Sequence, residues 1–200
     1  MREIESIKTD HYYHIYNRGN NGEDLFYNDK NYFYFLKLYK KHIFPIAETF
    51  AWCLLKNHFH LLVKIRSDKE ICSNFSINID KVDKKPSQQF SNLFNAYVQA
   101  INKQNNRHGS LLETPFKRKE IKDEKYLKSL IIYIHNNPIE HNFVKYLKDY
   151  KWSSYSSLIS NKGTNIERNK VIELFDNKEN FVFAHQQKIN IIGIEKSLHI

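Results

Sequence analysis

Residues 48–65, with the sequence ETFAWCLLKNHFHLLVKI, contain two strand-forming runs that are joined at Lys56-Asn57. So short a connection predicts an antiparallel hairpin, with one strand over residues 48–55 and the other over residues 59–65. Alternate side chains of a strand share a face, so His58 and His60 should project in parallel at the start of the second strand. The pair could bind one metal ion, although such pairs in strands are more often coincidental or partly buried.

Further strands and helices flank this hairpin in the sequence. Residues 12–17 and 116–121 are rich in strand-forming residues, and helical patterns cover residues 30–43 and 87–107. The resulting order βαββαβ predicts an α+β fold of the ferredoxin-like type, in which an antiparallel sheet carries its helices on one face.

The boundaries of these helices follow from capping residues and prolines. Asp29 and Ser87 are expected to cap the two helices. The polar residues 66–86 are expected to form a loop. A third helix should begin at Asp123 and end at Asn136-Asn137-Pro138, because proline disfavours helical geometry in the residue before it.

Weaker helical patterns follow at residues 169–175 and 179–187. We therefore expect a ferredoxin-like domain over residues 1–122 and a C-terminal helical extension packed on it over residues 123–200.

Composition narrows the possible partners of the chain. Hydrophobic residues make up 41% of the 200 residues, which indicates a packed core rather than a disordered chain. The net charge of +9 suits a polyanion, although lysines that only solvate the surface would give the same balance. Thirteen tyrosines and 14 phenylalanines could stack on bases or fill the core.

Two classes of protein are disfavoured by the cysteines and the hydropathy. Cys53 and Cys72 form no CxxC pair, which argues against a disulfide scaffold and a zinc ribbon. The N-terminus has no apolar signal region, and no apolar run approaches the about 18 residues of a membrane span. We expect a cytoplasmic protein with no membrane partner.

An ordered set of motifs resembles the HUH single-tyrosine transposases, and in particular the branch of REP-associated tyrosine transposases. The resemblance covers about residues 10–160. Its motifs are HFHLL at 58–62, FNAY at 94–97 with Asn102, FKR at 116–118, YIHNNP at 133–138 and WSSY at 152–155. It implies a ferredoxin-like catalytic domain that cleaves single-stranded DNA with a divalent metal, Mg²⁺ or Mn²⁺, through a covalent 5′-phosphotyrosine.

The resemblance also implies roles for individual residues. His58 and His60 would be metal ligands, and Tyr97 would be the nucleophile. Related enzymes complete the metal site with a polar residue about one helical turn after the nucleophile. That position is the apolar Ile101 here, so Asn102 is the candidate third ligand.

Tyr97 also falls on the apolar stripe of its helix, where a core tyrosine is expected. Tyr133 and Tyr155 remain open as alternative nucleophiles.

Basic residues should bind the phosphate backbone and make DNA binding dependent on salt. A solvated charged face is nearly as common an explanation for each of them. The candidates are Arg18, Lys103, Arg107, Lys117, Arg118 and Lys119.

The function that these features favour is nicking and rejoining of single-stranded DNA beside hairpins by transesterification. The protein would act as a monomer or a homodimer. Two alternatives are a non-catalytic nucleic-acid-binding relative and a metal-dependent hydrolase that uses activated water.

Overall fold

The computed structural model describes residues 6–187. Its four strands form one antiparallel sheet in the order β2-β3-β1-β4, which confirms the predicted α+β fold class. The strands are β1 Tyr12–Arg18, β2 Ala47–Leu54, β3 His58–Ile65 and β4 Lys117–Ile121. The helices are α1 Asp29–His42, α2 Asp68–Phe75, α3 Lys85–Gln104, α4 Glu124–Glu140, α5 Tyr155–Ile159, α6 Arg168–Leu174 and α7 Lys178–Gln186.

Helices α1 and α3 pack on the face of the sheet that Phe59 occupies. The ring of Phe59 lies 5.2 Å from Phe35 of α1 and 5.4 Å from Phe94 of α3. Phe35 and Phe59 are fully buried, and each such side chain stabilises the fold by about 1.5–3 kcal/mol. The hairpin and the two helices are therefore held together by one aromatic core.

The opposite face of the sheet, on which His58 and His60 lie, is covered in part by α4. The ring of Tyr133 in α4 lies 5.5 Å from the ring of His60. The chain after α4 then joins the free edge of β2, where the backbone nitrogen of Ser154 donates to the carbonyl oxygen of Trp52. The two faces thus differ, since one carries the main core and the other carries histidines beneath a single long helix.

The prediction of a loop over residues 66–86 is wrong, because this segment contains α2. Ser67 and Glu70 form a reciprocal capping box at its start, and Ile71 of its first turn is fully buried. The Ser-x-x-Glu spacing was the sequence signal for this helix. One buried residue was too weak a hydrophobic pattern to reveal it.

Three predicted helix boundaries also need correction. Asn28, not Asp29, caps α1 by accepting from the backbone nitrogen of Lys30. Helix α3 begins at Lys85, so Ser87 lies inside it and accepts a hydrogen bond from Arg118.

Helix α4 continues through Asn136-Asn137-Pro138 to Glu140 rather than ending there. An internal proline costs a helix about 3 kcal/mol, but ten residues between Leu127 and Pro138 are buried and offset that cost.

Candidate active site

The two histidines lie side by side at the start of β3, with their ring centroids 5.3 Å apart. The register of the sheet places Arg18 opposite His58 and Tyr16 opposite His60. These four side chains line a cavity of about 460 Å³. The cavity is lined by Tyr16, Asn17, Arg18, Asn57, His58, His60, Lys117, Tyr133, His141 and Phe143.

The environment of His58 determines its charge and which ring nitrogen carries the proton. Burial, followed by the proximity of His141, lowers the pKa of His58 to about 4, so the ring is neutral at physiological pH. Its Nδ1 lies 2.8 Å from Oδ1 of Asn57. Because a carboxamide oxygen only accepts, Nδ1 carries the proton and Nε2 keeps its lone pair. A neutral imidazole with a free lone pair is a metal ligand.

His60 is more deeply buried and contacts a third histidine. Burial, and then His14 and His58, hold the pKa of His60 well below its ordinary range. Its Nδ1 lies 3.0 Å from Nε2 of His14. Burial, and then Lys119, lower the pKa of His14 to about 3, so both rings of this pair are neutral.

Tyr133 and Asn137 reach the histidines from α4. Their spacing of four residues places both on one face of the helix, which is the face that meets β3. The Asn137 side chain lies close enough to His58 to raise its pKa, which partly opposes the larger lowering by burial, and its Nδ2 donates to the carbonyl oxygen of Tyr133 at 2.8 Å. The polar residue expected one helical turn after the nucleophile is therefore present for Tyr133.

Tyr97 lies on the other side of the sheet, so the structure does not bring this predicted nucleophile to the predicted ligands His58 and His60. The side chain is 1% exposed, and its hydroxyl donates to the carbonyl oxygen of Leu25 at 2.7 Å. Its ring packs edge-on against Phe35 at 5.1 Å. Burial, followed by Tyr32 and Tyr27, raises the pKa of Tyr97. Its surroundings are those of a core tyrosine.

Tyr155 is not at the histidine pair either. It lies 5.9 Å from Phe181 and 5.7 Å from His135, in a separate cluster of rings. Of the three tyrosines that the sequence left open, the structure brings only Tyr133 to the cavity.

Asn102 is also separated from the histidines, because α3 packs on the face of Phe59. Its Nδ2 donates to the carbonyl oxygen of Gly109, and its Oδ1 accepts from Arg107, both at 2.8 Å. Both polar atoms of Asn102 thus hold the turn that follows α3. The assignment of Asn102 as the third ligand is not supported by this position.

The six predicted DNA-binding residues divide into two groups. Arg18 and Lys117 line the cavity and share Glu113 as their ion-pair partner. Lys119 lies on the same face, opposite His14, with its ammonium 4.7 Å from the ring of Tyr126.

The second group does not line the cavity. Arg118 pairs with Ile15 in the register and so faces the main core, where it stacks on Phe116 at 4.1 Å. Arg107 pairs with Glu23, and Lys103 is exposed near the end of α3.

Three residues of the site were missed from the sequence, namely His14, Asn137 and His141, and Tyr133 was considered only as an alternative nucleophile. The sequence did carry a signal for Tyr133 and Asn137, since a four-residue spacing inside a helical pattern puts both on one face. Because the helix was predicted to end at Asn136-Asn137-Pro138, Asn137 was not placed on the same helical face as Tyr133. The alternation of YYHIYN at residues 12–17 likewise places His14 beside Tyr16.

The donor set fits a divalent ion. Within residues 6–187 no three His, Cys, Asp or Glu side chains converge on a metal position. The available donors are two neutral imidazoles, His58 and His60, and the carboxamide of Asn137. Mixed nitrogen and oxygen donors suit Mn²⁺ better than Mg²⁺, which prefers oxygen alone.

Among residues 6–187, none of the helices combines the length and the apolar character that a membrane span requires.

Comparisons with known proteins point to one family. No protein-family model matches the chain. A Haemophilus influenzae protein provisionally named a REP-associated tyrosine transposase is 29% identical over 108 residues. That match spans 54% of this chain and 58% of the relative, less than two thirds of its length.

A solved structure has the same fold. It is that of a REP-associated tyrosine transposase bound to a REP hairpin, with 16% identity and a TM-score of 0.58. The superposition covers 84% of this chain and 93% of the other. The resemblance indicated by the motifs is confirmed, because the chain is similar to REP-associated tyrosine transposases in both sequence and fold.

Proposed function

We propose that this chain cleaves and rejoins single-stranded DNA, with Tyr133 as the nucleophile. The observation that carries the proposal is the convergence of Tyr133, His58 and His60 on one cavity of the sheet. The resemblance to REP-associated tyrosine transposases supports the class of reaction, and the position of Tyr133 supplies the residue.

The reaction is a transesterification at phosphorus. The hydroxyl oxygen of Tyr133 forms a bond to the scissile phosphorus, and the bond from phosphorus to the 3′ oxygen of the preceding nucleotide breaks. The proton of the tyrosine passes in net terms to the departing 3′ oxygen, which leaves a 5′-phosphotyrosine on the protein. A DNA 3′-hydroxyl can later reverse the step, so rejoining requires no ATP.

A phenol is almost entirely protonated at neutral pH and is a weak nucleophile without activation. His58, His60 and Asn137 would hold a divalent ion, Mn²⁺ or Mg²⁺. Bound there, the ion would polarise the phosphodiester and would stabilise the charge that develops in the transition state. The histidines contribute by remaining neutral, and the proton on Nδ1 of His58 leaves the lone pair of its Nε2 available to the ion.

The rim of the cavity suits a single strand of DNA. Arg18 and Lys117 can exchange their shared carboxylate, Glu113, for phosphate oxygens. Phe143 is 44% exposed at the same rim and can stack on a base. Because the similar solved structure holds a REP hairpin, we propose hairpin-flanked single-stranded DNA as the substrate.

The test uses labelled single-stranded hairpin oligonucleotides from the flanks of the gene, with and without Mn²⁺. Wild type should form a protein–DNA adduct that survives a denaturing gel, and Tyr133→Phe should form none. Tyr97→Phe is the matched control, because it loses only a buried hydrogen bond of about 1 kcal/mol and should keep the adduct.

Other outcomes would contradict the proposal. Salt-sensitive binding without any adduct from wild type would indicate a non-catalytic binding module. Nicked DNA without a protein link would indicate a hydrolase. An adduct that persists in Tyr133→Phe and disappears in Tyr97→Phe would return the nucleophile to α3.

A further inference from the structure

His14 lies beneath His60 and makes no contribution to the wall of the cavity. It is fully buried in β1, with its ring stacked on that of His60 at a centroid distance of 5.1 Å and on Tyr16 at 4.7 Å. Its Nε2 is 3.0 Å from Nδ1 of His60. His14 therefore makes a direct hydrogen bond to a residue that the proposed function assigns to metal binding.

The direction of this hydrogen bond decides whether His60 can bind a metal. Oδ1 of Asn57 can only accept from His58, so the tautomer of His58 is fixed. An imidazole can either donate or accept, so the bond between His14 and His60 has two possible arrangements. Only when Nδ1 of His60 donates does Nε2 of His60 keep the lone pair that a metal ion requires.

The other nitrogen of His14 shows an unusual feature. Nδ1 of His14 is buried and has no hydrogen-bond partner among residues 6–187. A buried polar atom without a partner costs stability, so each such atom in a native structure calls for a specific explanation. When His14 accepts from His60, this nitrogen carries the proton of the neutral ring.

We propose that His14 is a positioning residue for the metal site. Its Nε2 accepts the Nδ1 proton of His60 and thereby holds the lone pair of His60 Nε2 toward the cavity. The inference rests on the proposed function, since it assumes that His60 binds a divalent ion. It extends that function to a residue outside the set of ligands.

Two substitutions separate hydrogen bonding from packing. In His14→Gln the side-chain amide can occupy the place of the imidazole Nε2 and offers an oxygen that accepts. In His14→Phe the ring and its stacking on Tyr16 are kept, but no acceptor remains. Melting temperature and far-ultraviolet circular dichroism identify any variant that fails to fold.

The first measurement is calorimetric titration of the full-length, metal-free protein with Mn²⁺ in the absence of DNA. His14→Phe should bind Mn²⁺ about ten- to a hundred-fold more weakly than wild type, as is typical when a partner of a ligating histidine is lost. His14→Gln should bind close to wild type. Equal affinity in wild type and both folded variants would overturn the proposal, as would an equal loss in both.

The second measurement is nitrogen-15 NMR of histidine-labelled protein without metal, because an ion bound to Nε2 would by itself force the proton onto Nδ1. Wild type and His14→Gln should show His60 with its proton on Nδ1. A proton on Nε2 of His60 would contradict the role of His14.

Failure of this inference can be distinguished from failure of the proposed function. If wild type binds Mn²⁺ and forms the DNA adduct while both His14 variants bind Mn²⁺ normally, only the role of His14 is wrong. If wild type binds no Mn²⁺, the metal dependence of the proposed function is wrong as well.

Discussion

Asn137 is the residue whose side chain links the proposed nucleophile to the proposed ligands. It is 2% exposed, lies beside His58, and donates to the backbone of Tyr133 one turn earlier. A carboxamide at this point can complete a site of two imidazoles. Among the described residues, no third His, Cys, Asp or Glu side chain completes a metal site at the histidine pair.

We predict that Asn137→Ala weakens Mn²⁺ binding by about ten-fold or more and reduces adduct formation in parallel, because one donor is lost. The measurement is a calorimetric Mn²⁺ titration followed by the denaturing gel. Asn102→Ala is the matched control, since Asn102 holds the turn after α3, and it should lower stability by about 1 kcal/mol without changing Mn²⁺ affinity. A loss of Mn²⁺ affinity in Asn102→Ala with no loss in Asn137→Ala would instead support Asn102 as the ligand.

The contrast between Tyr97 and Tyr133 shows the limit of sequence patterns for single residues. Both tyrosines lie in helices, and both are almost fully buried, at 1% and 4% exposure. Helical periodicity places Tyr97 on the apolar stripe of its helix, but it cannot show which face of the sheet that helix covers. That information comes from the packing of α3 on Phe59 and of α4 on His60.

At the scale of elements, a chain of buried hydrogen bonds ties α4 to α7 and to β2. His185 Nδ1 donates to the carbonyl oxygen of Phe181, so its Nε2 must accept from Nδ1 of His135 at 2.8 Å. Nε2 of His135 then accepts from Oγ of Ser154, which accepts from the backbone nitrogen of Trp52. The donor and the acceptor of every hydrogen bond in this series are therefore assigned. The series holds α4, the helix that carries Tyr133, in place.

We predict that Ser154→Ala lowers the free energy of unfolding by about 1–3 kcal/mol, because two buried groups lose their partner. Urea denaturation measures the change. Ser156→Ala, at a partly exposed neighbour outside this network, should change the stability by less than about 0.5 kcal/mol. Equal effects in the two variants would show that the network does not stabilise α4.

The sheet was predictable from sequence, whereas the ends of its helices were not. The hairpin follows from two strand-forming runs around Lys56-Asn57, and its observed strands, Ala47–Leu54 and His58–Ile65, lie within one residue of prediction. The end of α4 depends instead on tertiary burial that outweighs the cost of Pro138. Local sequence rules do not include the free energy of tertiary burial, so the part of α4 that carries Asn137 was not predicted to be helical.

At the scale of the whole molecule, the net charge of +9 is useful for DNA binding only where cations face the strand. Arg18 and Lys117 line the cavity, whereas Arg118 faces the main core and stacks on Phe116. The distribution of charge therefore matters more than its sum. The structure separates cations at the site from those that stabilise the fold.

We predict that Arg18→Ala and Lys117→Ala each weaken binding of single-stranded DNA and reduce the slope of log affinity against log salt by about 0.7. Fluorescence anisotropy at several salt concentrations measures both quantities. Lys37→Ala, at an exposed position of α1, should leave the slope unchanged. A loss at Lys37 as large as at Arg18 would mean that binding follows total charge rather than this cavity.

The central claim is that Tyr133 forms the covalent bond to DNA, and peptide mapping of the adduct tests it most directly. Trypsin releases residues 129–145 and 85–103 as separate peptides, and Tyr133 and Tyr97 are their respective tyrosines. After nuclease trimming, mass spectrometry should find the residual nucleotide on the peptide 129–145, at Tyr133. A nucleotide on the peptide 85–103, at Tyr97, would contradict the account.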